Sequence, residues 1–182
     1  MVIDTPFKYY GNFDTSGFNS ILMNNTFDWD EWDFRRKRFH MLYQTQTVPL
    51  LFDETWEFSN VQKHKHYSLF EDEMDKLTNH FKTTVFNGEG YFLSSLLVRL
   101  LSGNDIKHHI DNGIHYQTSL FTRIHIPIST NEKCIFTVGD ESKNLKTGEL
   151  WQINYTQMYH SVTNQGDTDR IHLIVDWVQT NK

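Results

Sequence analysis

Six side chains in the later part of this sequence are of types that can do chemistry together: His109, Asp111, Arg123, His125, His160 and Arg170. His109 and Asp111 stand two residues apart, so an extended strand points both to one face. His160 lies much further along and needs only to be brought alongside by the fold. Two neutral imidazoles and one carboxylate make the facial set that holds non-haem Fe(II) and leaves positions open for substrates and O₂. His-x-Asp alone is a common pattern, and its surroundings give it weight. In Thr122 to Ile128, Ile124, Ile126 and Ile128 alternate with Arg123 and His125. In Asp169 to Val175, Ile171, Leu173 and Val175 alternate with Arg170 and His172. Such strands carry their Arg and His in water, or else line the inside of a barrel, where guanidinium groups can grip a dicarboxylate bidentately.

Strands must position these groups, and the pattern predicts them near 91–101, 106–111, 119–128, 133–139, 148–154, 157–163 and 170–178. Turn residues separate them, among them Ser102-Gly103-Asn104-Asp105, Thr147-Gly148 and Asn164-Gln165-Gly166-Asp167. Seven or so short strands with no helices between them predict a mainly β, two-sheet jelly roll. The first 88 residues read differently. Loops dominate to about residue 35, with a short strand near Tyr9 and a short helix within Asn19 to Trp32. Val48-Pro49 marks an extended segment ending in a turn. Phe70, Met74, Leu77 and Phe81 recur at helical spacing, and Ser68 with Glu71 has the form of a capping box, so a helix is expected over about 68–81. The expectation is one domain over 1–182: an N-terminal helix and loop portion (1–88) packed on one sheet of a barrel core (89–180).

With 182 residues, 38% hydrophobic and 15% aromatic, the chain can bury a substantial core. A net charge of -6 and no basic stripe argue against a nucleic-acid partner. The basic run Arg35-Arg36-Lys37-Arg38 follows Asp28, Asp30, Glu31 and Asp33, which reads as a self-neutralising surface cluster. A single cysteine, Cys134, excludes an intrachain disulfide. The apolar stretch Tyr91 to Leu101 contains Arg99 and is too short to span a bilayer, and the first ten residues lack a signal pattern. No membrane partner and a soluble, cytoplasmic protein are expected.

The run from Ile106 to Asp176 resembles the catalytic core of the aspartyl/asparaginyl β-hydroxylase family of Fe(II)/2-oxoglutarate dioxygenases. The pieces that carry the resemblance are His109-Ile110-Asp111, Arg123-Ile124-His125-Ile126-Pro127-Ile128, Gly148-Glu149-Leu150-Trp151, His160-Ser161-Val162-Thr163-Asn164 and Arg170-Ile171-His172-Leu173 with Asp176. Animal β-hydroxylases lack the carboxylate ligand that Asp111 supplies, so the sequence looks nearer the free-proline cis-hydroxylase-like branch. The resemblance implies a double-stranded β-helix, cupin-like, with Fe(II) on His109, Asp111 and His160. It implies that Arg170 pairs with the distal carboxylate of 2-oxoglutarate and that Arg123 and His125 help hold that co-substrate. It further implies hydroxylation of an unactivated C–H bond of an amino acid, free or as an Asp, Asn or Pro-type residue in a peptide, with O₂ consumed and succinate and CO₂ released. Four more residues are candidates. Arg99 points into the barrel toward a substrate carboxylate or lies on the surface. His115 contacts substrate from its loop or does nothing of the kind. Trp151 walls the pocket or is a core residue, and His172 supports Arg170 from the same face. The competing expectation is a cupin-like metal-binding or sensor protein without catalysis, in which a buried arginine beside the ion has no purpose.

Overall fold

A computed structural model describes residues 3–55, 57–111 and 120–180. Among these the order is β1 (Phe7–Asn12), α1 (Ser16–Asn24), α2 (Phe34–Arg38), β2 (Thr45–Phe52), β3 (Gln62–Lys63), α3 (Tyr67–His80) and β4 (Gly90–Leu100). There follow β5 (Asp105–His109), β6 (Thr122–Ser129), β7 (Cys134–Val138), β8 (Glu141–Lys143), β9 (Glu149–Ile153), β10 (His160–Asn164) and β11 (Arg170–Gln179). The large sheet has the order β1-β9-β6-β11-β4-β2-β3 and the small one β5-β10-β7-β8. From β4 onward the chain crosses between them: β4, β6, β9 and β11 lie in the large sheet, β5, β7, β8 and β10 in the small one. Every pairing is antiparallel. This zigzag is the double-stranded β-helix, and it answers the two-sheet expectation.

Alternation along the strands divides the large sheet into two faces. Ile124, Ile126 and Ile128 of β6, Leu173, Val175 and Trp177 of β11 and Leu97 of β4 join Phe18 of α1 and Phe70, Met74 and Leu77 of α3 in one buried cluster. Fully burying each such side chain stabilises by about 1.5–3 kcal/mol, which holds the helices on the sheet's outer face. The opposite face, carrying Arg123, His125, Arg170 and Ile174, lines a cavity that the small sheet closes. Around that cavity, Phe136, Val138, Ile153 and Val162 belong to a second cluster between the sheets.

Three local expectations change. The capping box does not form: the helix starts at Tyr67, no side chain caps it, and Glu71 is drawn to Lys63 Nζ at 2.6 Å. Its first turn is already closed by the Tyr67 amide donating to the His64 carbonyl at 2.9 Å, which leaves Ser68 inside the helix. Pro49 sits within β2 and does not end it. β4 pairs along one side of β2, while β3 covers only Leu51 and Phe52 on the other, so the ring occupies an edge that needs no donor. The N-terminal segment packs helices on the sheet as expected and β1 covers the strand expected near Tyr9, but β2 and β3 join that sheet as well. β1 is tied in where the Phe13 amide donates to the Gly148 carbonyl at 2.8 Å. Gly148 has φ +82°, and a Cβ there would stand 2.7 Å from the Phe13 carbonyl oxygen, so only glycine fits.

Candidate metal centre

His160 opens β10 directly opposite His109 at the end of β5, and their ring centroids are 4.1 Å apart. Asp111 follows β5, held by its amide donating to the Tyr155 carbonyl at 2.9 Å. One ligand atom from each of the three lies within 4.8 Å of the others, and no other such group occurs among the described residues. The donor chemistry fits a divalent ion. His109 Nδ1 is 2.6 Å from the Lys107 carbonyl oxygen, so that nitrogen carries the proton and Nε2 keeps its lone pair. Nε2 then faces Asp111 Oδ1 at 3.5 Å, and either a proton or a metal cation between them satisfies both atoms.

The electrostatics agree. Burial opposes a charge on His109, but Asp111 and the Lys107 carbonyl outweigh it and its pKa is raised, so this spot favours positive charge. Burial pulls His160 down to about 4 against the attraction of Asp111, leaving it neutral and ready to coordinate at neutral pH. Burial would raise Asp111, yet the His109 hydrogen bond and the positive groups around it hold the carboxyl at about 2. His108 points away, exposed, and rests against Tyr159 with centroids 5.1 Å apart.

Arg170 enters β11 on the cavity side and is only 1% exposed. Its Nη2 donates to His172 Nδ1 at 2.6 Å. Burial, then the charge of Arg170, keep His172 well below its ordinary pKa, so the imidazole is a neutral acceptor. No carboxylate among the described residues pairs with Arg170, and burial lowers its pKa to about 10. His125 also lines the cavity, buried and kept neutral by desolvation and the neighbouring arginines.

Arg123 is arranged differently from expectation. Nε donates to Asp176 Oδ1 at 2.8 Å and Nη2 to Asp176 Oδ2 at 2.9 Å, a bidentate pair, while Nη1 reaches Asp111 Oδ2 at 3.4 Å. Ser94 donates to the same Asp176 Oδ2 at 2.7 Å. The guanidinium therefore spans from the buried carboxylate of Asp176 to that of Asp111. Asp176 is 1% exposed and deserves a place in the site that strand alternation alone did not give it.

Two candidates lie elsewhere. Arg99 pairs in register with Ile171 on the helix-facing side, and cross-strand partners share a face. It stacks on Trp29 at 4.5 Å and hydrogen-bonds Gln46 at 2.8 Å, with Asp169 at 3.8 Å, so it does not enter the cavity. Trp151 packs edge-on to Phe7 and against Tyr9, and its Nε1 donates to Glu149, which makes it part of the core between the sheets. His115 falls outside the described residues. Asn164 is a turn staple, its amide group donating to the carbonyls of Leu100 and Thr168.

Arg35 is a charged cavity residue that the sequence did not announce. Arg36 and Lys37 turn outward onto Asp30 and Asp33, as the surface-cluster reading requires, but Arg35 lines the cavity with Phe39, Met41 and Leu42. A five-residue helix gives no period from which that inward turn could be read.

Known proteins bear on this arrangement in three ways. L-proline cis-4-hydroxylase of Rhizobium meliloti (strain 1021) is 33% identical over 60 residues, a match covering 33% of this chain and 21% of that protein. The matched stretch thus spans about a fifth of the relative's length. An oxidoreductase of the 2OG-Fe(II) oxygenase family from Burkholderia pseudomallei shares the fold at a TM-score of 0.57, with 13% identity over 77% of this chain and 71% of that one. The viral collagen prolyl hydroxylase of Paramecium Bursaria Chlorella virus-1, solved with 2OG, also gives 0.57, with 9% identity over 97% and 98%. The aspartyl/asparaginyl β-hydroxylase pattern matches residues 57–180, the stretch that carries His109, Asp111, Arg123, His160, Arg170 and Asp176, and the chain belongs to that family.

Proposed function

We propose that this protein is an Fe(II)- and 2-oxoglutarate-dependent dioxygenase that hydroxylates an unactivated C–H bond of an amino acid, free or within a peptide. The observation that carries the reading is Arg170, a guanidinium sealed from solvent at the cavity wall with a neutral histidine and no carboxylate beside it among the described residues. A buried charge without an opposite charge is costly, and an anionic ligand relieves it. A protein that only held metal would have no use for such a group, which weighs against the sensor alternative.

His109, Asp111 and His160 would hold the ion. When bound, Fe(II) with 2-oxoglutarate activates O₂ for hydroxylation, releasing succinate and CO₂. Arg170 would take the distal carboxylate of 2-oxoglutarate through its planar fork, with His172 fixing its plane. His125, neutral and buried in the same wall, would offer a hydrogen bond to the co-substrate. Arg123 is assigned to hold Asp111 in place: its fork is already committed to Asp176, which removes it as the main grip on the co-substrate. Apolar lining from Val98, Ile106 and Ile174 would keep water from the reacting carbon.

The test is succinate release and a mass gain of ~16 Da, one oxygen atom, in amino acids and peptides incubated with protein, Fe(II), 2-oxoglutarate and air. Binding of 2-oxoglutarate without oxygen is measured alongside. Absence of both turnover and co-substrate binding removes the reading.

A further inference from the structure

The small sheet sets a fixed span between the proposed ligand His160 and the space behind Arg170. His160, Val162 and Asn164 are the buried residues of β10, and their partners across the ladder in β7 are Val138, Phe136 and Cys134. From His160 to Asn164 the strand advances about 13 Å at its ordinary rise. Phe136, on the middle rung, lines the main cavity of about 160 Å³ and also a second, narrower void. Arg170 borders both, so its side chain is part of the partition between them. Thr130, Cys134, Leu145 and His172 complete the void, which is too narrow for a water molecule.

No polar group in that void grips the arginine. Arg170 Nε and His172 Nε2 are buried without a hydrogen-bond partner among the described residues. The bond from Nη2 to His172 fixes the plane of the guanidinium, and the packing behind it fixes the depth. Cys134 is 5% exposed, and burial raises its pKa in spite of Arg170, so the sulfur packs as a small neutral thiol. Its backbone is held on both sides. The amide donates to the Asn131 carbonyl at 3.1 Å, and the carbonyl accepts from Asn144 Nδ2 at 2.6 Å. Leu145 is 2% exposed and belongs to the same apolar cluster.

We propose that Cys134, with Leu145, fixes the length of dicarboxylic 2-oxo acid the protein accepts, by setting how far Arg170 stands from the metal. This rests on the oxygenase reading above. A shorter acid leaves its distal carboxylate short of the guanidinium fork. A longer one needs the fork to retreat into space that Cys134 and Leu145 close.

The experiment titrates Fe(II)-loaded protein, without oxygen, with pyruvate, oxaloacetate, 2-oxoglutarate and 2-oxoadipate. Heat and the metal-centred absorption band report binding. The parent is expected to bind 2-oxoglutarate roughly 10–200-fold more tightly than 2-oxoadipate, the worth of one methylene in a closed site. Cys134→Ala and, separately, Leu145→Ala are each expected to cut that ratio by about threefold or more. Pyruvate, which has no distal carboxylate to reach Arg170, is expected to keep its affinity. Cys134→Met, which adds bulk behind the fork, is expected to shift preference toward oxaloacetate. The proposal is overturned if the parent does not discriminate between the two longer acids. It is also overturned if either alanine variant, folded by circular dichroism, keeps the parent's ratio or weakens all four acids alike. Failure of 2-oxoglutarate to bind the parent would instead overturn the oxygenase reading beneath it.

Discussion

Arg170 and His172 make a unit whose two members depend on each other. The imidazole stays neutral because it is buried beside a cation, and the cation keeps its orientation because the imidazole accepts from Nη2. Removing the guanidinium by Arg170→Ala should weaken 2-oxoglutarate binding by about 3–5 kcal/mol, a few hundredfold or more, while metal still binds. Equilibrium titration of the co-substrate into both proteins checks this, and equal affinity would remove the assignment. The volume-conserving change Arg170→Met separates binding from folding. Without co-substrate it should leave the melting temperature unchanged or raise it, because an uncompensated buried charge is replaced by an apolar chain. His160→Ala should cost roughly 100-fold or more in metal affinity, since altering mere supporters of ligands already costs 10–100-fold. Its circular dichroism spectrum should match the parent, because β10 is held by backbone pairing on both sides.

At the scale of elements, β6, β11 and β4 set the site by register. Asp176 of β11 lies opposite Arg123 of β6 and Ser94 of β4, so one carboxylate gathers donors from both neighbours. Asp176→Asn should lower stability by about 3–5 kcal/mol through loss of a buried partner. It should also weaken metal binding roughly 10–100-fold through the loosened Arg123 and Asp111. A variant less stable but with unchanged metal affinity would reduce Asp176 to a structural residue. On the outer face, Leu77→Ala in α3 should cost about 2–5 kcal/mol, read from urea unfolding, as its side chain is fully buried. Much of this was legible in the sequence. The alternation in β6 and β11 announced both faces, and the spacing from Phe70 to Phe81 announced α3. What stayed hidden depends on pairing. Whether Arg99 or Val98 faces the cavity is decided by register with β11, which no local pattern in β4 records. β8, three polar residues long, has no alternation to display. The cap at Ser68 was lost to Lys63, a contact with β3 that only the fold creates.

Over the molecule as a whole, burial acts on the histidines in one direction. His125, His160 and His172 are all held below the ordinary value of 6.5. The unfolded chain takes up protons there that the folded chain refuses, so the metal-free protein should lose stability as pH falls from about 7 to about 4.5. His160, near 4 when folded, accounts for about 3 kcal/mol of that loss, and the raised pKa of His109 opposes it. Urea midpoints across this range give the answer, and a flat or rising midpoint on acidification would contradict it. His109, Asp111, His160 and Arg170, which the fold brings to one cavity, were readable as residue types in order. Arg35 was not, since its neighbours in the same run do the opposite and only the placement of α2 against the cavity distinguishes it. No helix among the described residues is long and apolar enough to cross a membrane. β1 and β2, both from before residue 57, flank β9 and β4 and so close both sides of the strands that carry the chemistry. A fragment cut at residue 57, where the family match starts, would expose two unpaired rims and be prone to self-association. Grafting a relative's leading segment onto this core is therefore a question of matching hydrogen-bond ladders first, and a successful graft would exchange the part of the cavity wall that Arg35, Phe39, Met41 and Leu42 supply.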